Sequence, residues 1–366
     1  MKERKSITKS MAGSSVGIDI GEPSSAVTYL SPDGEVMDSF SFNMDDTGYS
    51  EFMQRIPTNA RIAFEATGLA YTVTKRLRSL GYGDITVAHP KELAWIVKSK
   101  KKNDIVDSLK LAKLHLVDML PKSTLLDDSE RIRRDLLIQR VRLGKDISSV
   151  KNSITGYLKR EGMYNSLPDT SDTFSVKRRE AIEAIHFGDE KDLVLKTMLQ
   201  KLKFYEEQCE PIEAELRKRA NDDEQAKLLM SIPGISYYLA SLLSSYIGSI
   251  DRFESDDKLA SFFGVVPTMK DSSNVKRRGR MSKDGASTAR WALSIAVDTT
   301  MDYNKPLREY YNAVKKRTSS GKMAHVSTMR KLVRMLYHML KNREQWKYEN
   351  PSLTDRKLSE LDKKVN

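Results

Sequence analysis

The order of the apolar runs between residues 16 and 88 constrains this chain more than any other feature. Val16-Gly17-Ile18-Asp19-Ile20 is a short β-prone run closed by Gly21. Ser25 to Leu30 is a second run and Val36 to Phe42 a third, joined by the turn Ser31-Pro32-Asp33-Gly34. Strands linked by such short turns make an antiparallel meander. The pattern then changes. Residues 47–56 have helical spacing, Arg61 to Glu65 is a fourth strand, Tyr71 to Leu80 a helix closed by Gly81, and Ile85 to Ala88 a fifth strand stopped by Pro90. A hairpin-linked meander followed by strand–helix alternation predicts a mixed sheet with helices on its faces.

Beyond Lys91 the spacing is helical. Asp104 to Met119 forms one element before Pro121, and Ser129 to Lys159 forms one long basic helix or two shorter ones. Residues 164–175 are a polar linker, and 176–221 carry Leu195, Met198, Leu199, Leu202, Tyr205, Ile212 and Leu216 at helical spacing. That stripe predicts an antiparallel helical hairpin or a coiled-coil arm. With 366 residues the chain has room for roughly two domains. The expected class is α/β plus mainly α. Its expected parts are a sheet domain with trailing helices at 14–163, a linker and arm at 164–224, a helical domain at 225–346 and a loose tail at 347–366.

Composition narrows the chemistry. A single cysteine, Cys209, rules out an internal disulfide and Cys-rich zinc sites, and five scattered histidines offer no short-spaced ligand pair. Any metal would therefore be held by carboxylates, which suits magnesium or manganese. Lys plus Arg number 62 against 50 acids, so the net charge of +12 favours a polyanionic partner, although a basic surface alone does not name it. The longest apolar stretch, Tyr237 to Gly248, is shorter than the ~18 residues a spanning helix needs. The first fifteen residues are basic without an apolar segment, so the expected location is the cytoplasm rather than a secretory route or a membrane.

Asp19 and Glu65 interrupt or end apolar strand runs, where a charge is costly unless paired or metal-bound. Asp104 and Asp107 lie three apart at a helix start and share a face. Singly, each has an ordinary explanation as a turn residue or as an acid favoured by the helix dipole. If the first and fourth strands are neighbours and the helix packs over their ends, all four converge, and like charges that close need divalent cations. Two metals bridged by carboxylates are a standard means of handling phosphate esters. Lys98, Lys100, Lys101 and Lys102 stand beside Asp104 and read as a clamp on the phosphate backbone.

In the C-terminal part, Ser231-Ile-Pro-Gly-Ile-Ser236 resembles a helix-hairpin-helix turn, in which backbone N–H groups near Gly234 would bind a phosphate. A plain helix–helix turn fits nearly as well. From Phe263 to Gly285 runs a loop bearing Lys276, Arg277, Arg278, Arg280 and Lys283, with Ser272 and Ser273 close by. Guanidinium groups could hold a phosphate attacked by serine, but chemistry alone favours a flexible phosphate-binding loop.

Taken together, the motifs resemble the DEDD transposases of the one-ten family of insertion sequences. The residues that carry the resemblance are Gly17-Ile-Asp-Ile-Gly21, Phe64-Glu-Ala-Thr-Gly68, Lys102-Asn-Asp-Ile-Val-Asp-Ser108, Ile232-Pro-Gly-Ile235, Gly264-Val-Val-Pro267 and Gly279-Arg-Met-Ser-Lys-Asp-Gly285. The resemblance runs over about 15–345 in family order. It implies a RuvC-like domain of ribonuclease H fold, whose metal-binding Asp, Glu, Asp, Asp set falls on Asp19, Glu65, Asp104 and Asp107. It also implies a C-terminal transposase domain with a serine nucleophile five residues after the proline of Gly-x-x-Pro, which from Pro267 is Ser272. Ser273 and Asn274 stand where the family prefers glycine, which makes Ser273 the reserve candidate. Donor and target DNA, a structured noncoding guide RNA, a dimeric or tetrameric assembly and a prokaryotic, nucleoid-associated setting are further implications.

Three functions from different classes follow. A recombinase would cut and rejoin DNA through a phosphoserine with magnesium or manganese at the carboxylates, either for transposition or as a site-specific invertase. A RuvC-like junction nuclease would use water and metal alone. A binding scaffold would not need the carboxylates. The intact acids disfavour the scaffold, and the long C-terminal part disfavours the nuclease. Element ends in the DNA around the gene would separate transposase from invertase.

Overall fold

The structure, a computed structural model, describes residues 13–96, 103–123, 125–272, 275–282 and 285–362, with the backbone path alone for 94–96, 268–272 and 275–280. The chain divides into two compact units between Asp127 and Asp128.

The first unit contains β1 (Ser15–Asp19), β2 (Ser24–Leu30), β3 (Val36–Asn43), α1 (Asp46–Arg55), β4 (Arg61–Glu65), α2 (Ala70–Ser79), β5 (Ile85–Ala88), α3 (Pro90–Ile96) and α4 (Asp104–Leu116). The strand order is β3-β2-β1-β4-β5, with β1–β3 an antiparallel meander and β1, β4 and β5 parallel. This is the mixed sheet that the strand order predicts. Alternation along each strand gives the sheet two different faces. Val16, Ile18, Val27, Phe40, Phe42, Ile62 and Phe64 point to one face and bury themselves with Tyr49 and Phe52 of α1 and Val73 and Leu77 of α2. The rings of Phe42 and Phe52 lie 5.2 Å apart, and those of Phe52 and Tyr82 5.4 Å apart in an edge-on contact. The other face offers Ser15, Gly17, Thr28 and Ala63, residues small enough for a helix to approach closely.

The second unit contains α5 (Asp128–Arg160), α6 (Val176–Glu183), α7 (Glu190–Asn221), α8 (Glu224–Met230), α9 (Tyr237–Ile247), α10 (Asp256–Phe262), β6 (Pro267–Ser272), β7 (Val275–Met281), α11 (Ser287–Tyr303), α12 (Lys305–Thr318), α13 (Gly321–Asn342) and α14 (Pro351–Ser359). Helices α5 and α7 form an antiparallel pair. Tyr157 Oη donates to the Lys191 carbonyl at 3.0 Å near one end, and Arg140 meets Glu213 at 2.7 Å further along. Between them Val150, Ile154, Tyr157 and Leu158 pack on Leu195 and Leu202. The main core lies beyond, where Leu137, Val141 and Leu216 join α8–α11 and α13.

The long basic helix α5 packs its apolar stripe on α7 and groups by its contacts with the second unit. Part of the 176–221 stripe, Leu195 and Leu202 among it, packs on α5 in an antiparallel helical pair. Among the described residues of the tail, α14 is capped by Asn350, buries Thr354 and is followed by buried Leu361. No described helix is long and apolar enough to cross a membrane.

Candidate active site

Helix α4 lies on the small-residue face of the sheet. Ser15 Oγ donates to the Ala112 carbonyl at 3.0 Å, and the hydroxyls of Thr28 and Ser108 are 2.8 Å apart. A Cβ at Gly17 would fall 2.0 Å from the Ser108 carbonyl oxygen and 2.5 Å from the Ala112 nitrogen, so only glycine lets the helix seat there. Ser15 meets Ala112 while Gly17 and Thr28 meet Ser108, so α4 runs antiparallel to β1. One further turn back along α4 lies Asp104, on the same side as Ser108 and at the carboxyl end of β1. Asn103 accepts from the Ile105 N–H at 3.1 Å and fixes that helix start.

Asp19 and Glu65 sit at the same end. Ile18 pairs with Phe64 in parallel register, so the next residues, Asp19 and Glu65, are neighbours on strands ~4.8 Å apart. Strand alternation places Asp19 with Ser15 and Gly17, and Glu65 with Ala63, which packs on Leu111 of α4. Both acids therefore belong to the α4 face, and both are half-buried. The fold thus brings Asp19, Glu65 and the first turn of α4 to one end of one sheet face.

The four side chains are not drawn into a cage. Among the described residues no three His, Cys, Asp or Glu side chains are close enough together to hold a metal ion. Asp107 is turned toward Lys110, with Nζ at 2.7 Å from Oδ1. Oxygen donors of this kind suit a hard divalent cation such as magnesium. The lysine run Lys98, Lys100, Lys101 and Lys102 falls outside the described residues.

Deeper under α4, His115 is buried and its Nδ1 lies 3.2 Å from Ser15 Oγ. With the Ser15 hydrogen on Ala112, His115 Nδ1 is the donor in this contact. Burial, aided by Arg61, holds its pKa down at about 4.

In the second unit, the basic segment expected as a flexible loop is a β-hairpin. β6 and β7 pair antiparallel, with Ser272 opposite Val275, Asp271 opposite Lys276, Lys270 opposite Arg277 and Met269 opposite Arg278. Ser272 is thus the last residue of β6, at the tip. Arg280 follows on β7, whereas Ser273 and Lys283 fall outside the described residues. The hairpin base is anchored: Arg290 Nη1 donates to the Gly285 carbonyl at 3.0 Å, and the Ser282 N–H to Val266 at 2.9 Å. A Cβ at Gly285 would lie 2.1 Å from the Phe262 carbonyl oxygen.

The 231–236 turn joins α8 to α9 with Gly234 at φ +90°. A Cβ there would meet the Thr299 backbone at 2.7 Å, so Gly234 allows the turn to lie on α11. Lys357 of α14 donates to the carbonyls of Met230, Ile232 and Ile235, the last two at 2.9 and 3.0 Å. A further polar array was invisible in the sequence because it joins two helices. Ser294 Oγ lies 2.9 Å from His325 Nε2, and His325 Nδ1 lies 3.4 Å from Asp298 Oδ1. Ser294 stands inside α11, where neighbouring N–H groups are engaged in the helix and cannot receive an oxyanion. The array fastens α13 to α11.

Two family models match the chain. Residues 16–162 match the DEDD transposase of IS110, described simply as a transposase, and residues 226–312 match the Transposase IS116/IS110/IS902 family. The chain belongs to the IS110 transposase family. The first match covers the sheet unit and α5, and such a mixed sheet is consistent with the ribonuclease H-like fold of IS110-family DEDD domains. The IS110-family chain is 26% identical over 290 residues to the transposase for insertion sequence element IS1328 of Yersinia enterocolitica, covering 76% of this chain and 81% of that one. It is 26% identical over 144 residues to an uncharacterized 44.8 kDa protein of insertion element IS116 from Streptomyces clavuligerus, and 23% identical over 151 residues to a 43.6 kDa protein of IS110 from Streptomyces coelicolor. The matched segments span 35% and 37% of those two Streptomyces proteins, about a third of their length.

Proposed function

We propose that this chain transposes an insertion sequence by cutting and rejoining DNA through a phosphoserine. The observation that carries the reading is the arrangement of acids. Asp19 and Glu65 are strand neighbours on the face to which α4 brings Asp104 at its first turn, with Asp107 three residues on. Those four residues would hold magnesium or manganese, which would neutralise charge on the reacting phosphate. Ser272, at the hairpin tip, is the nucleophile. Its Oγ bonds to phosphorus and loses its proton, while a deoxyribose oxygen leaves and takes a proton. The phosphoester so formed keeps the energy of the broken phosphodiester, and the reverse step rejoins a strand. Arg277 and Arg278, on the strand that pairs with that of Ser272, would hold a phosphate oxygen, as charge-assisted guanidinium contacts do. Lys98–Lys102, Arg278, Arg280, Lys283 and the Gly234 turn contribute positive charge or N–H donors to nucleic acid.

The partners in this reading are donor and target DNA and a structured RNA encoded by the element as guide, in a bacterial cytoplasm. Exchange between two duplexes requires a dimer or tetramer.

The test is strand cleavage of a DNA carrying element ends, with magnesium or manganese. Asp19→Asn and Glu65→Gln, which keep shape and remove charge, are expected to lower cleavage by at least a hundredfold with unchanged thermal unfolding. Full cleavage in excess chelator would refute the metal role.

A further inference from the structure

We propose that the cleft between α12 and α13 is a binding site for a nucleic-acid phosphate backbone, separate from the carboxylates and the serine hairpin. The proposal rests on the reading of the chain as a nucleic-acid enzyme and adds a place of contact of which the sequence shows only the basic face of α13, Arg330, Lys331 and Arg334.

The cleft is a cavity of about 540 Å³ whose wall includes Tyr310, Arg317, Arg330, Lys331, Arg334 and His338. No Asp or Glu lines it. Its cations come from two helices. Arg317 ends the basic last turn of α12, after Lys315 and Lys316, while the others rise along successive turns of α13. Two of them show how an anion is received. Arg330 and Arg334, one turn apart, each place Nη2 2.9 Å from the same oxygen of Asp257 on α10. A single anionic oxygen already draws both guanidinium groups together, as a phosphate oxygen would. Asp256 adds contacts at the rim, 3.3 Å from Arg334 and 3.9 Å from His338.

Those acids balance Arg330 and Arg334 only. Lys331 instead stands over the Tyr310 ring with Nζ 4.2 Å from its centre, and Arg317 faces it from α12; neither makes an ion pair with a described carboxylate. A concave surface with uncompensated charge from two elements concentrates counter-ions, and in a chain of net charge +12 it fits a polyanion. The contacts offered are to phosphate oxygens, not base edges, so the site would position a strand without reading its sequence. Duplex DNA and RNA share that chemistry.

The experiment uses the full chain with two probes, a 30-base-pair duplex and a single-stranded RNA, and measures affinity against salt. Each phosphate contact contributes about 0.9 to the slope of log K against log salt on duplex and about 0.7 on a single strand. Arg317→Ala combined with Lys331→Ala should therefore lower the slope by about 1.8 on duplex or about 1.4 on RNA. The probe that loses slope identifies the strand that occupies the cleft. Arg317→Lys with Lys331→Arg should retain the wild-type slope, and all three proteins should melt alike. Unchanged slopes on both probes for the alanine pair would overturn the proposal, while magnesium-dependent cleavage by the same variant would leave the function proposed above standing. A wild-type chain that binds neither probe would overturn both.

Discussion

Gly17 decides whether α4 can seat, and with it where Asp104 ends up. Adding one methyl places carbon 2.0 Å from the Ser108 carbonyl, so Gly17→Ala forces the helix off the sheet. The expected outcome is a loss of about 1–3 kcal/mol in the unfolding of the first unit, with cleavage reduced as well; denaturant titration checks it. His115, under the same helix, gives a pH signature. Its folded pKa of about 4 is below the ordinary 6.5, so the unfolded chain binds more protons between those values. Stability from this group is complete above pH 6.5, declines as pH falls toward 4, and levels off below. His115→Gln should flatten that decline in melts recorded from pH 7 to 4; an unchanged profile would remove His115 as its source. Asp19 and Glu65 were legible because a charge stands out in an apolar strand run. What Gly17 and His115 do structurally was not, because the contacts that need them join β1 to α4 across about ninety to a hundred residues of sequence.

At the scale of elements, the hairpin and the last helix carry the sharpest expectations. In the hairpin register Arg277 stands opposite Lys270 and Arg278 opposite Met269, close along the backbone to Ser272. Arg277→Ala combined with Arg278→Ala should depress cleavage at least tenfold and weaken binding in a gel-shift titration. Unchanged cleavage would remove this pair from the phosphate contact. Lys357 ties α14 to the 231–236 turn through three carbonyls, and burial lowers its pKa to about 8. Lys357→Met removes the donor to these carbonyls, of which Ile232 keeps the Ile235 N–H, and should cost about 1–3 kcal/mol, read as a lowered melting temperature. A melt indistinguishable from wild type would mean that the turn holds without α14. The run 263–285 reads as a loop because its apolar residues do not alternate, yet backbone pairing makes it a ribbon. The tail reads as loose because its apolar residues are few; Leu361 and the aliphatic stem of Lys357 nonetheless find cover.

For the molecule as a whole, the strand order settled the first unit, and the helical stripes settled that the second is mainly helical. What the stripes could not say is which helix meets which. A stripe at helical spacing records that a face is buried, not what buries it, so α7 reads equally well as an arm for a second chain and as the partner of α5. The charge balance behaves the same way: +12 points to a polyanion, but the clustering of Arg317 and Lys331 in one cleft depends on two helices coming together. The central claim is that a serine on the second unit's hairpin is joined to DNA during strand exchange. The most direct measurement is to trap the reaction on a suicide substrate, digest the protein and map the DNA adduct by mass spectrometry. The expected result is a nucleotide on Ser272, absent in Ser272→Ala although that variant still binds DNA. Cleavage that releases free ends with no adduct on the protein would contradict it.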